Sequence, residues 1–135
     1  MTIEACEPAQ SMFAADVASQ ALGMELTELR PGRAVVAMTV REDMVNGHGI
    51  THGGYVFTLA DTAFAVACNG HGVPAVAARG DIRFLRPTRA GDALVAEAVE
   101  RNRFGRSGIY DVTVRLGDEV VAEFRGDSRS ILSRA

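Results

Sequence analysis

From His52 to Asn69 the chain is almost wholly small or apolar, and Asp61 is its only charged residue. The run is too long for an ordinary strand and reads as a helix. A helix apolar on nearly every side must be covered on most of them. A carboxylate inside it is costly unless it is paired or hydrogen-bonded. This segment therefore sets two demands: a protein layer wrapped around one helix, and a reason to keep Asp61.

The flanking segments can supply the layer. Residues 1–10 read as a flexible lead, and Ser11–Leu22 as a minor helix stopped at Gly23. Met24–Leu29 and Ala34–Val40 read as strands around Arg30-Pro31-Gly32-Arg33. After the apolar helix, only strands follow: Ala75–Arg86, Asp92–Arg103, Gly108–Leu116 and Glu119–Arg129. Tyr110, Val112 and Val114 alternate cleanly with Asp111, Thr113 and Arg115, and Gly117-Asp118 marks a tight hairpin. Short turns make successive strands antiparallel. The expectation is an α+β fold, one antiparallel sheet around one central apolar helix, forming a single domain over 11–135.

Composition narrows the function classes. The net charge of −3 over 135 residues gives no attraction for nucleic acid or an anionic membrane, and no such partner is expected. All 14 basic residues are Arg, whose planar fork suits phosphates. Cys6 and Cys68 lack disulfide or metal-like spacing, which fits a reducing compartment. No secretory leader or membrane-length apolar run is apparent, so the reading is cytoplasmic by elimination.

Two features carry chemistry. Gly53 and Gly54 open the apolar helix, where unpaired backbone N–H groups and the dipole's positive end can polarise a carbonyl. Asp61, with only Thr58 and Thr62 as nearby donors, is a candidate base or nucleophile. Eight residues of helix separate Gly53 from Asp61 by about 12 Å, too far to serve one carbonyl from one chain. Two antiparallel copies of the helix would bring Gly53 of one to Asp61 of the other, so a shared site implies at least a homodimer.

Asn46-Gly47-His48, His52-Gly53-Gly54, Leu59-Ala60-Asp61-Thr62-Ala63-Phe64-Ala65, Ala67-Cys68-Asn69 and Phe84-Leu85-Arg86-Pro87 together resemble the thioesterases of bacterial phenylacetic acid degradation, within the hotdog thioesterase superfamily. The likeness in layout runs from about Met12 to Ile131. It implies a hotdog fold and hydrolysis of aryl-acetyl CoA thioesters without metal or cofactor. It also implies sites between subunits, in a homotetramer of paired dimers. By the same resemblance Asp61 is the catalytic carboxylate, as nucleophile or general base, and the Gly53 amide is the oxyanion donor. Asn46 and His52 complete the catalytic set, and Gly54 and Thr62 are expected to contact the substrate. For the acyl-CoA phosphates, Arg103, Arg106 and Ser107 at one strand turn are the choice, with Arg83, Arg86 and Arg89 as a second cluster.

Three rivals are weighed against this. A metal hydrolase would use His48, His52 and His71, but His71 lies roughly 28 Å along the helix from His52. A hotdog hydratase would pair His52 with Asp61. A non-catalytic acyl-CoA-binding protein would keep the fold alone.

Overall fold

A computed structural model describes residues 2–3 and 6–131. The element order is β1 (Thr2–Ile3), α1 (Glu7–Ala15), α2 (Val17–Ala21), β2 (Glu25–Arg30), β3 (Arg33–Thr39), α3 (Gly53–Cys68), β4 (Ala75–Phe84), β5 (Ala93–Phe104), β6 (Ser107–Leu116) and β7 (Glu119–Ser130). One sheet has the order β1-β2-β3-β5-β6-β7-β4. All its pairings are antiparallel except the short β1 against β2.

The sheet curves around α3, the hotdog arrangement. Val56, Leu59, Ala60, Ala63, Phe64, Val66 and Ala67 of α3 are buried, against the inward Ala96, Ala98, Tyr110, Val112, Val114 and Phe124 of the sheet. The alternation of β6 holds: Tyr110, Val112 and Val114 are buried while Asp111 and Thr113 are partly exposed. Gly117, at φ 61°, turns the chain between Leu116 and Glu119, where a side chain would be strained. At Gly126 the sheet comes so close to the helix that an added Cβ would lie 2.8 Å from the Phe64 ring.

Cover is incomplete along one stripe. Gly54, Thr58, Asp61 and Ala65, spaced four, three and four residues apart, are the accessible or half-accessible face of α3. Phe57 of α3 lies against Gly80 of β4, the strand that ends the sheet, pairs only with β7 among the described residues, and is exposed along most of its length.

The N-terminal helix differs from expectation. Helix starts at Glu7, with Pro8 in its first turn, inside the stretch read as a flexible lead. Residues 1, 4 and 5 of that lead, and 132–135 at the other end of the expected domain, lie outside the described residues. At Asp16 the helix breaks in two, because Asp16 leaves helical geometry and accepts from the Ser19 amide to cap α2. Among the described residues no helix is long and apolar enough to cross a membrane.

Candidate active site

The segment before α3 is a braced loop. Val45 bridges Thr51, and the Asn46 amide donates to the Ile50 carbonyl at 2.8 Å. Asn46 Oδ1 accepts from the amides of His48 and Ile50, at 2.9 and 3.3 Å. The Asn46 Nδ2 group has no hydrogen-bond partner among the described residues. Thr51 is tied to Thr88 through both backbone and hydroxyl, and His52 N–H donates to the Met44 carbonyl. The entry to α3 is thus held from two sides.

His52 caps the helix: the Gly54 amide donates to its Nδ1 at 2.9 Å. Its ring stands edge-on to Tyr55. The Gly54 amide, at a residue expected to contact the substrate, is thus spent on His52. The Gly53 amide, by contrast, finds no acceptor among the described residues. A side chain at Gly53 would meet the Phe84 ring at 3.0 Å, so the ring lies directly over this backbone. A cavity of about 540 Å³ opens here, lined by Asn46, Ile50, Gly53, Val56, Phe84 and Val121 among others. The Asn46 side chain and the unspent Gly53 amide therefore border a mainly apolar space, whose lining also includes Thr51, Arg86 and Thr88.

Asp61 does not line that cavity. It sits in the exposed stripe of α3, half-buried and without a hydrogen-bond partner among the described residues. The two hydroxyls close to it in sequence are committed elsewhere: Thr58 donates to the Gly54 carbonyl at 2.8 Å, and Thr62 is bonded to Ser19 at 2.8 Å. Burial raises the Asp61 pKa above its ordinary value, and the like charge of Asp16 raises it further. An uncompensated carboxylate of raised basicity can take a proton from water or attack a carbonyl.

Thr62, also expected to contact the substrate, is engaged within the chain. It is buried, and since the Ser19 hydroxyl donates to Asp16 at 2.6 Å, Thr62 donates to Ser19. Its side chain ties α3 to α2. Asp16 itself, which sequence spacing did not single out, enters the surroundings of Asp61 through this contact.

The far end of α3 carries the expected Arg cluster. Arg103, Arg106 and Ser107 line one cavity of about 200 Å³ with Cys68, His71 and Tyr110. The second cluster does not converge. Arg83 pairs with Asp81 on the outer sheet face, and Arg86 borders the Gly53 cavity while reaching Glu119 at 3.4 Å. Arg89 uses its backbone amide on Asp92. His48, His52 and His71 do not come together; His71 binds Glu100 at the opposite end of α3 from His52. Cys6 and Cys68 are both free and buried, and burial pushes the Cys68 thiol up to about 12.

Residues 48–123 match the family model described as the thioesterase superfamily, a span that contains His52, Gly53, Asp61 and the Arg103 turn. The chain belongs to that superfamily. The chain is 46% identical over 132 residues to the acyl-coenzyme A thioesterase PaaI of Escherichia coli (strain K12), covering 97% of this chain and 94% of that one. It is a hotdog-fold acyl-CoA thioesterase of the PaaI type. The solved E. coli PaaI protein, from the phenylacetic acid degradation operon, superposes with a TM-score of 0.91 at 44% identity, over 94% of this thioesterase and 93% of that chain. A Streptococcus mutans protein solved bound to acetyl CoA superposes with a TM-score of 0.78 at 25% identity, over 83% and 91%.

Proposed function

We propose that this thioesterase hydrolyses aryl-acetyl CoA thioesters of the phenylacetyl type to the free acid and CoA, in a site shared between two subunits. The observation that carries the shared site is the separation on one chain: the Gly53 amide and Asn46 border a cavity that Asp61 does not reach. Asp61 instead lies in the accessible stripe of α3, and β4 leaves the sheet an open edge. Pairing two copies along that edge would set two α3 helices side by side and antiparallel, with the Asp61 of each toward the Gly53 end of the other. Pairs of such dimers would make the homotetramer.

In this site the thioester carbonyl accepts the Gly53 N–H, with Asn46 Nδ2 as a second donor to carbonyl or water. Asp61 of the facing chain either takes a proton from the attacking water or attacks the carbonyl itself, its elevated basicity favouring both. By either route the C–S bond breaks, oxygen from water ends in the acid, and a proton ends on the CoA thiol. No cofactor is needed for these steps. His52 holds the Gly54 amide and so keeps the Gly53 end of the helix in place. The apolar lining of Ile50, Val56, Phe84 and Val121 suits an aromatic acyl group, in line with the operon of the E. coli relative. Arg103, Arg106 and Ser107 would hold the CoA phosphates, as the acetyl CoA bound by the S. mutans relative makes reasonable. Two free, buried cysteines fit a cytoplasmic setting.

Mixed subunits test the proposal. Asp61→Asn removes the carboxylate. Asn46→Asp removes the Nδ2 donor but keeps the Oδ1 that braces the loop. Each variant alone should release little thiol from phenylacetyl-CoA. Equal mixing with subunit exchange should restore about a quarter of wild-type activity, because half the dimers are mixed and each holds one intact site. Heterodimers without any recovery would refute the shared site, and wild-type protein releasing no thiol from any aryl-acetyl CoA would refute the substrate assignment.

A further inference from the structure

We infer that His71 and Glu100 are positioning residues that hold the Arg103 guanidinium ready at the β5–β6 cavity to receive a CoA phosphate. The inference rests on the assignment of that cavity to the CoA phosphates.

The geometry starts from an irregularity in β5. Its register against β6 shifts between Glu100, opposite Tyr110, and Asn102, opposite Ile109. Residues three apart on a regular strand point to opposite faces. The extra residue, Arg101, resets the alternation, so Glu100 and Arg103 share the inward face. His71 reaches them from the loop after α3. Its Nε2 lies 2.7 Å from Glu100 Oε1, to which the buried Tyr110 hydroxyl also donates at 3.0 Å. Arg103 Nη1 stands 3.3 Å from His71 Nδ1, and Arg103 Nε 3.9 Å from Glu100 Oε1.

Donor and acceptor roles follow from chemistry. Arginine can only donate, so His71 Nδ1 accepts, and its proton is on Nε2, donated to Glu100. Glu100 receives two neutral donors, which leaves its charge to attract Arg103 from just beyond contact. Arg103 itself is half-exposed and would otherwise sample many rotamers, each of which a phosphate would have to reject. Fixing the side chain in advance lowers that cost at the moment of binding, which appears in KM and leaves the bond-breaking step alone. The fixing points are distant in sequence and serve no group at the Gly53 end.

The test compares phenylacetyl-CoA with phenylacetyl-pantetheine, which has the same thioester without the nucleotide phosphates. Arg103→Ala should raise KM for the CoA ester alone, which reports on the cavity assignment. His71→Leu should raise that KM by about three- to tenfold at unchanged kcat, and leave the pantetheine ester unaffected. His71→Gln should restore wild-type KM, since its amide can donate to Glu100 and its carbonyl can accept from Arg103. Glu100→Gln, which keeps its shape and loses its charge, should raise KM as His71→Leu does and stands in if that variant does not fold. In the Arg103→Ala background His71→Leu should add nothing. An unchanged KM in Arg103→Ala would remove the cavity assignment and the inference with it. A raised KM in Arg103→Ala with no effect of His71→Leu or Glu100→Gln would overturn the positioning role alone. So would a full, additive His71 effect without Arg103, or a fall in kcat on both esters.

Discussion

Asp61→Asn should stop catalysis and stabilise the fold in one step, and the two effects come from the same feature. Asp61 is half-buried and has no partner among the described residues, its two neighbouring hydroxyls being bonded to Gly54 and Ser19. Burial, then the charge of Asp16, raises its folded-state pKa above the ordinary 3.8. For a carboxylate shifted upward, the penalty on the folded state is absent below the unfolded value. It grows as pH climbs to the folded value and is fully present above it. At about pH 7 the wild-type fold therefore carries a cost that asparagine, equal in shape and uncharged, does not. Asp61 is only half-buried, so solvent screens much of its charge, and the excess cost of the carboxylate over a neutral amide is on the order of 1 kcal/mol. For a chain of this size that raises the melting temperature by about 3–5 °C. Loss of the base or nucleophile should lower kcat by about 10³-fold. Calorimetry at matched protein concentration, near neutral pH and again near pH 3.5, reads the stability side; a thiol reagent reads turnover. The gain should shrink toward zero at the acid end, where both proteins are neutral at this position. A variant that melts below wild type at neutral pH, or whose advantage is the same at both pH values, would refute the account of an uncompensated charge.

Two glycines separate packing from function. Gly126→Ala drives a Cβ to 2.8 Å from the Phe64 ring, which is fully buried and cannot retreat, so unfolding experiments should find a loss of about 2 kcal/mol. Gly53→Ala meets Phe84 at 3.0 Å, but that ring is 56% exposed and free to swing; stability should change by less than about 1 kcal/mol while kcat/KM falls at least about tenfold, since the new methyl crowds the unspent amide. Asp16→Asn keeps the Oδ1 that caps α2 and removes the charge, while the Ser19 hydroxyl must turn to accept from the new Nδ2. With the like charge gone, the acid limb of the kcat/KM profile should move to lower pH, and an unmoved limb would show that Asp16 does not act on Asp61.

Local pattern carried much of the architecture. The alternation along β6, the Gly117-Asp118 turn and the apolar run of α3 are short-range signals, and each appears where the pattern puts it. The lone charge of Asp61 and the glycine at the helix entry are equally local, because both follow from what a helix and its first turn require. The N-terminal break was harder to see: Asp16 reads as one more helical residue until its carboxylate is found on the Ser19 amide.

The fates of individual polar groups were decided by tertiary structure. Gly54 and Thr62 lie one residue from Gly53 and Asp61, and sequence cannot tell which of two adjacent groups is already satisfied. The His52 ring takes the Gly54 amide and Ser19 takes Thr62, leaving Gly53 and Asp61 unspent. His71 and Glu100 are 29 residues apart, and only the wrap of the sheet and the extra residue in β5 put them beside Arg103. By itself the sequence determined the central helix, its single carboxylate and the distance between its two reactive positions, because helical rise is local. The curvature of the sheet decided the rest: which stripe of that helix stays open, and which of its hydrogen-bonding groups remain free. Both depend on what other parts of the chain come to lie against it.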